Sequence, residues 1–199
     1  MVQQPKGERT RADILHIAWQ RALHVGLEGL SIGTLAADVG MSKSGLFAHF
    51  GSKEGLQIAL LEHAAAQFVE DVVRPALRAP RGEPRLRELY ARWLEWATVN
   101  LKVGGCLFSS AAWEFDDRPG PVRDRLAVIL GDWVDAIERA VKISIEEGHL
   151  RSDIDTAEIA QHIHSLQLGM HLHTRLFYSP GARERAEHAF ERLLLTLRP

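Results

Sequence analysis

One cysteine, Cys106, is all the thiol chemistry this chain has. A lone cysteine excludes an intrachain disulfide and a thiolate zinc cage, and it suits a reducing compartment. No apolar run is long enough to span a bilayer. The polar start, with Gln3, Gln4, Lys6, Glu8, Arg9 and Arg11, is unlike a signal peptide. A cytoplasmic protein with no membrane partner is the expectation. Charge of one sign is also missing: the formal net charge is −2. Charge balance therefore does not point to nucleic acid, and does not exclude it, because only a contacting face must be basic. Gly-x-Gly-x-x-Gly, a Walker loop and His-Glu-x-x-His are all absent, so no enzyme activity and no cofactor are expected. Apolar residues make up 46 % of the chain, enough to build a core without cross-links.

No segment reads as a strand. Apolar residues recur at helical spacing almost throughout, which predicts an all-α protein of about nine helices. The first runs from about Glu8 to Val25 on a face of Ile14, Ile17, Ala18, Ala22 and Val25, with Gly26 placed to end it. Ser31, Ser42 and Ser52 are placed to cap the next three helices. The fourth carries a stripe of Leu56, Ala59, Leu60, His63, Ala64, Phe68 and Val72 and ends near Pro75. After the loop from Ala79 to Pro84 comes a helix with Leu86, Leu89, Tyr90, Trp93, Trp96 and Ala97. Gly104-Gly105 breaks the chain before a short helix from Cys106 to Phe115. Pro121 opens a long helix that Gly148 closes. Asp155 and Glu158 form a capping-box pattern for a helix to about Tyr178, and Arg183 to Leu197 is the last. The division expected is an N-terminal helical module over residues 1–55 and a larger helical domain over 56–199.

Ala36, Gly40 and Leu46 stand at Ala-x3-Gly-x5-Leu spacing, the pattern of a helix-turn-helix. Ala36 must be small where the second helix packs. Gly40 permits positive φ in the turn. Leu46 plugs the second helix into the core. Its outer face is left polar, with Lys43, Ser44 and His49, and can enter a major groove. The segment from Ile32 to Leu56, including Met41-Ser42-Lys43-Ser44-Gly45-Leu46-Phe47-Ala48-His49-Phe50, resembles the DNA-binding segment of TetR-family (TetR/AcrR) regulators. The resemblance is strong over residues 9 to 60. Gly105-Cys106-Leu107 and Glu114 through Arg125 also resemble the C-terminal domain of one regulator subgroup. It implies that Ser42, Lys43 and Ser44 meet bases or nearby phosphates, with His49 on the exposed side. It also implies that Lys53 reaches a phosphate and that Ser31 and Thr34 contact the DNA backbone. Where the family often has Tyr, this chain has Phe47, which has no hydroxyl to donate and for which a packing role is expected.

The reading is a DNA-binding transcriptional regulator, a repressor released from its operator by a small-molecule effector. Trp93, Trp96, Cys106, Phe108, Trp113, Trp133 and Met170 are the candidate lining of a pocket for an apolar or aromatic effector. The alternative is a helical small-molecule-binding protein, or a regulator sensing through Cys106 at a helix start, where a thiolate is favoured. Glu114, Asp116 and Asp117 could attract a cationic effector, though acids in such a position are more often a solvated helix exit. His162, His164, His171 and His173 contain no i,i+4 pair, so no metal site is expected. Two recognition helices must sit about 34–36 Å apart to meet successive major grooves, so a homodimer on a pseudo-palindromic double-stranded operator is expected. The seam is placed on the last two helices, with Leu166, Met170, Leu193 and Leu197 as members.

Overall fold

The structure, a computed structural model, describes residues 6–99 and 105–199. Gly104 of the predicted chain break lies outside them. Among the described residues there are helices and no strand. They are α1 (Lys6–Val25), α2 (Ile32–Asp38), α3 (Lys43–Phe50), α4 (Lys53–Phe68), α5 (Glu83–Val99), α6 (Leu107–Phe115), α7 (Pro121–Glu146), α8 (Thr156–Arg175) and α9 (Ala182–Thr196). A π-helical turn, Val69–Val73, and one further turn, Arg74–Ala76, follow α4. Pro75 explains the π turn. Proline has no N–H and its ring crowds the carbonyl four residues back, and a widened turn relieves both.

Two compact units result. One comprises Met1–Gln67 and Leu107–Ala127; the other comprises Phe68–Cys106 and Val128–Pro199. In the first, the core is built from Ile14, Leu15, Ala18 and Ala22 of α1, Leu35 and Ala36 of α2, Leu46 of α3 and Leu56 and Leu60 of α4. Leu15 and Leu23 are buried where the periodicity favoured Ile17 and Val25. Val25, at the helix exit, stands exposed. A helix as short as α2 or α3 cannot persist alone, and burial of Leu35, Ala36, Leu46 and Phe50 supplies what intrinsic propensity does not.

In the second unit α8 packs along α9. Tyr90 stacks on Phe190 at 3.9 Å between centroids, and its hydroxyl donates to the Ala186 carbonyl at 3.0 Å. Asp155 caps α8 by accepting the N–H groups of Ala157 and Glu158. That helix ends at Arg175, three residues short of the predicted Tyr178. Met170 and Leu197 are buried in their own protomer, which removes both from the predicted seam between protomers. No helix among the described residues is long and apolar enough to cross a membrane.

Candidate nucleic-acid interface

The turn between α2 and α3 carries the site. Gly40 has φ +67°, in the left-handed region that favours glycine. The N–H of Met41 donates to the Ala36 carbonyl at 2.9 Å and that of Gly40 to the Ala37 carbonyl at 3.2 Å. This pair of bonds is a Schellman motif, which satisfies the carbonyls that the end of α2 would otherwise leave open. Ser42 then starts α3, its hydroxyl accepting the Gly45 N–H at 3.1 Å. Ser31 does the same for Thr34 at 3.2 Å, and the two hydroxyls pair at 2.8 Å. These caps leave the serine and threonine side chains at the surface, close to the helix N-termini, where N–H groups favour an anion.

Leu46 and Phe50 turn α3 inward. Ser42, Lys43 and Ser44 are exposed, and His49 is half-buried. The structure thus brings Ser42, Lys43, Ser44 and His49 onto one short helix, next to Ser31 and Thr34 at the start of α2. Phe47 departs from its expected packing role: 53 % of it is exposed, on the same side as Ser44.

Lys53 is differently placed from the free cation a phosphate contact calls for. Its Nζ donates to the Glu28 carbonyl at 2.6 Å and pairs with Glu28 Oε1 at 3.0 Å. Glu28 also accepts from Gln57 at 3.2 Å and lies 3.4 Å from Arg118. The hydrogen bond from Lys53, the largest influence, holds the Glu28 carboxyl below its ordinary range against partial burial. Glu114 is not a solvated helix exit. Its carboxylate accepts the N–H of Glu28 at 2.7 Å and of Leu27 at 3.3 Å, tying α6 to the loop after α1. Sequence reading missed this because the partner N–H groups lie 86 and 87 residues away.

The candidate effector residues divide between the units. Trp93, Trp96, Cys106, Trp133 and Met170 are buried in the second. Phe108 is buried in the first, where Trp113 is 61 % exposed on the outer side of α6 and lines no interior surface. Phe68 meets Trp96 and Trp133 edge-on, at 5.5 and 5.0 Å. Trp133 Nε1 donates to Gln167 Oε1 at 3.0 Å. An indole N–H only donates, so it fixes which end of the amide faces it. The Gln167 Nε2, fully buried, is then left without a hydrogen-bond partner among the described residues. Gln167 escaped sequence analysis because a glutamine inside an apolar stripe carries no periodic signal.

Cys106 is 2 % exposed, so a dissolved oxidant has no ready approach to its sulfur. Its N–H donates to His171 Nε2 at 3.3 Å. Burial, assisted by Arg175, pushes the His171 pKa down to about 4. An unfolded histidine titrates near ~6.5. Folding therefore favours the neutral ring, and this contribution is full above pH ~6.5 and lost as pH falls toward 4. The shift corresponds to roughly 3 kcal/mol. Urea denaturation of the parent and of His171→Gln, which can still accept the Cys106 N–H, is expected to show a smaller acid loss in the variant. Equal losses between pH 7 and pH 4.5 would mean that His171 does not report the acid sensitivity. Among the described residues no group of three or more His, Cys, Asp or Glu side chains is arranged to hold a metal.

A helix-turn-helix with a solvent-facing second helix, set in an all-α chain, defines a DNA-binding regulator. Residues 14–60 match the bacterial regulatory proteins of the tetR family, and residues 82–190 match the tetracyclin repressor-like C-terminal domain. The chain belongs to the TetR family of transcriptional regulators. The HTH-type transcriptional repressor AcnR of Corynebacterium glutamicum is 27 % identical over 157 residues, covering 75 % of this chain and 73 % of that protein. A TetR transcriptional regulator from Chloroflexus aurantiacus superposes with TM-score 0.83 at 25 % identity, over 96 % of this chain and 94 % of that one. A TetR-family regulator from Cytophaga hutchinsonii gives TM-score 0.85 at 21 % identity, over 99 % and 98 %.

Proposed function

We propose that this chain is a cytoplasmic homodimeric repressor that sits on a pseudo-palindromic operator and is released by a small apolar or aromatic molecule. The observation that carries it is the exposed polar face of α3 held by a Schellman turn and two serine caps. Residues 1–55 are the DNA-binding domain and 56–199 the effector-binding and dimerisation domain. Ser31, Thr34, Ser42, Lys43, Ser44, His49 and Lys53 face the DNA. The repressor role is supported by likeness to AcnR.

For the effector, support comes from the second unit. Phe68 meets Trp96 and Trp133 edge-on, and Trp133 in turn binds Gln167, whose buried Nε2 has no acceptor among the described residues. A buried unmet donor costs about 1–3 kcal/mol. An effector with a carbonyl or ether oxygen would recover that cost. For the dimer, support comes from a stripe on α8: Leu172 is 37 % exposed and Leu176, just past its end, is 63 % exposed.

Selection of bound duplexes from a random pool by the full-length protein tests the reading. Enrichment of a two-fold symmetric site with half-site centres about 10–10.5 base pairs apart, or a multiple of that spacing, is expected. An unenriched pool overturns it. With that site in hand, Lys43→Ala is expected to flatten the slope of log affinity against log salt by about 0.9 for each phosphate that Lys43 neutralises. Lys53→Ala is expected to flatten it less, since Glu28 already neutralises Lys53. Equal slopes in the parent and Lys43→Ala would mean that Lys43 touches no phosphate.

A further inference from the structure

We infer that Phe47 is a specificity-determining residue that reads thymine through its C5 methyl group, an inference that rests on the DNA-binding reading of α3. The observation is its exposure. On a helix of eight residues, Leu46 and Phe50 go inward and Phe47 does not. At about 100° per residue, Lys43, Ser44, Phe47 and Ala48 fill one continuous arc of the outer surface. All four are exposed. Lysine and serine offer hydrogen bonds there, and Ala48 offers only a methyl group. Phe47 is the one large apolar surface on the arc.

An exposed benzyl group is costly to keep in water, and it has neither donor nor acceptor for a phosphate or a base edge. In the major groove the apolar feature that distinguishes one base pair from another is the thymine methyl. A ring presented beside Lys43 and Ser44 therefore discriminates by apolar contact where its neighbours discriminate by hydrogen bonding. The neighbouring Ala48 is small enough to let the groove floor approach. The ring contacts of nearby aromatics run instead between His49 and Phe50, and Arg11 lies over Phe50 at 5.1 Å.

The test uses the operator obtained by selection with the full-length protein. Each thymine in the two half-sites is replaced by uracil, which removes the methyl group and leaves every hydrogen-bonding atom. Parent protein is expected to lose affinity at one symmetry-related thymine pair, about fourfold for each methyl and about fifteenfold for the pair. Other thymines should be silent. Phe47→Ala should bind the thymine operator as weakly as the parent binds the uracil one, and should lose nothing further on uracil substitution. A flat uracil scan with the parent overturns the inference without recourse to any variant. A flat scan together with weak binding by Phe47→Ala also overturns it, and places the ring against deoxyribose instead. A Phe47→Ala protein as sensitive to uracil as the parent does the same. An unenriched pool removes the DNA-binding reading itself, whereas an enriched operator insensitive to uracil removes only Phe47's role.

Discussion

Gly26→Ala is expected to destabilise the first unit by about 2–4 kcal/mol and to weaken operator binding with it. Two independent costs meet at this residue. Gly26 has φ +80°, where a Cβ costs about 1–2 kcal/mol. A Cβ there would also stand 2.5 Å from Glu114 Oε1. The carboxylate is the free end of a side chain and can swing aside, but only by giving up the N–H groups of Leu27 and Glu28. Hydrogen bonds to a charged group are worth about 1.5–3 kcal/mol each, and the two share one partner. Glu114→Ala removes the second cost alone. In urea melts Gly26→Ala should therefore be worse than Glu114→Ala, and the double variant should be little worse than Gly26→Ala. If the two losses add in full, Glu114 does not hold the loop at Gly26. Gly40→Val, at a turn where an added Cβ meets nothing within 4 Å, should cost only the backbone strain.

Joint replacement of Leu172 and Leu176 by Asp is expected to convert a dimer into a folded monomer and to lower operator affinity at least a hundredfold. Both side chains are exposed in the protomer, so charges there cost the fold little. They lie four residues apart, Leu172 on α8 and Leu176 just past its end, on the side opposite the buried Ile163, Gln167 and Met170. In a dimer seam the same charges would be buried without partners, which no interface tolerates cheaply. A monomer reads one half-site, and the second recognition helix no longer adds to affinity. Sedimentation at micromolar concentration and circular dichroism decide between outcomes. A variant that stays dimeric moves the seam elsewhere. Met170→Asp gives the contrast: Met170 is 3 % exposed inside its own protomer, so the expected result there is unfolding, not dissociation.

Local chemistry was legible in the sequence wherever it acts over a few residues. Ser31, Ser42, Ser52 and Asp155 are caps because their oxygens reach an N–H two or three positions on. Gly40 and Leu46 were identifiable from spacing alone. What periodicity could not give was the partner of a surface charge. Lys53 reads as a free cation at a helix start, yet Glu28, 25 residues back, holds it. The role of Glu114 was missed for the same reason, its partners Leu27 and Glu28 lying in a distant part of the chain, and Gln167 because a glutamine inside an apolar stripe carries no periodic signal. Phe47 shows the other limit. An aromatic at a helical position is buried far more often than not, and only the three-dimensional placement of Leu46 and Phe50 reveals that this one has no room inside.

The ion pair between Lys53 and Glu28 separates the speed of DNA association from its persistence. At more than a Debye length, about 8–10 Å in physiological salt, a paired ammonium and carboxylate look like a small dipole, and such a pair draws no polyanion toward it. Long-range attraction must then come from cations without a carboxylate beside them. In the proposed complex Lys53 would act only after contact, once a phosphate oxygen replaced Glu28 at its Nζ. Replacing Lys53 and Glu28 together by neutral residues should leave the bimolecular association rate nearly unchanged and shorten the lifetime of the complex, while removing Glu28 alone should raise the association rate by unmasking a charge that was already there.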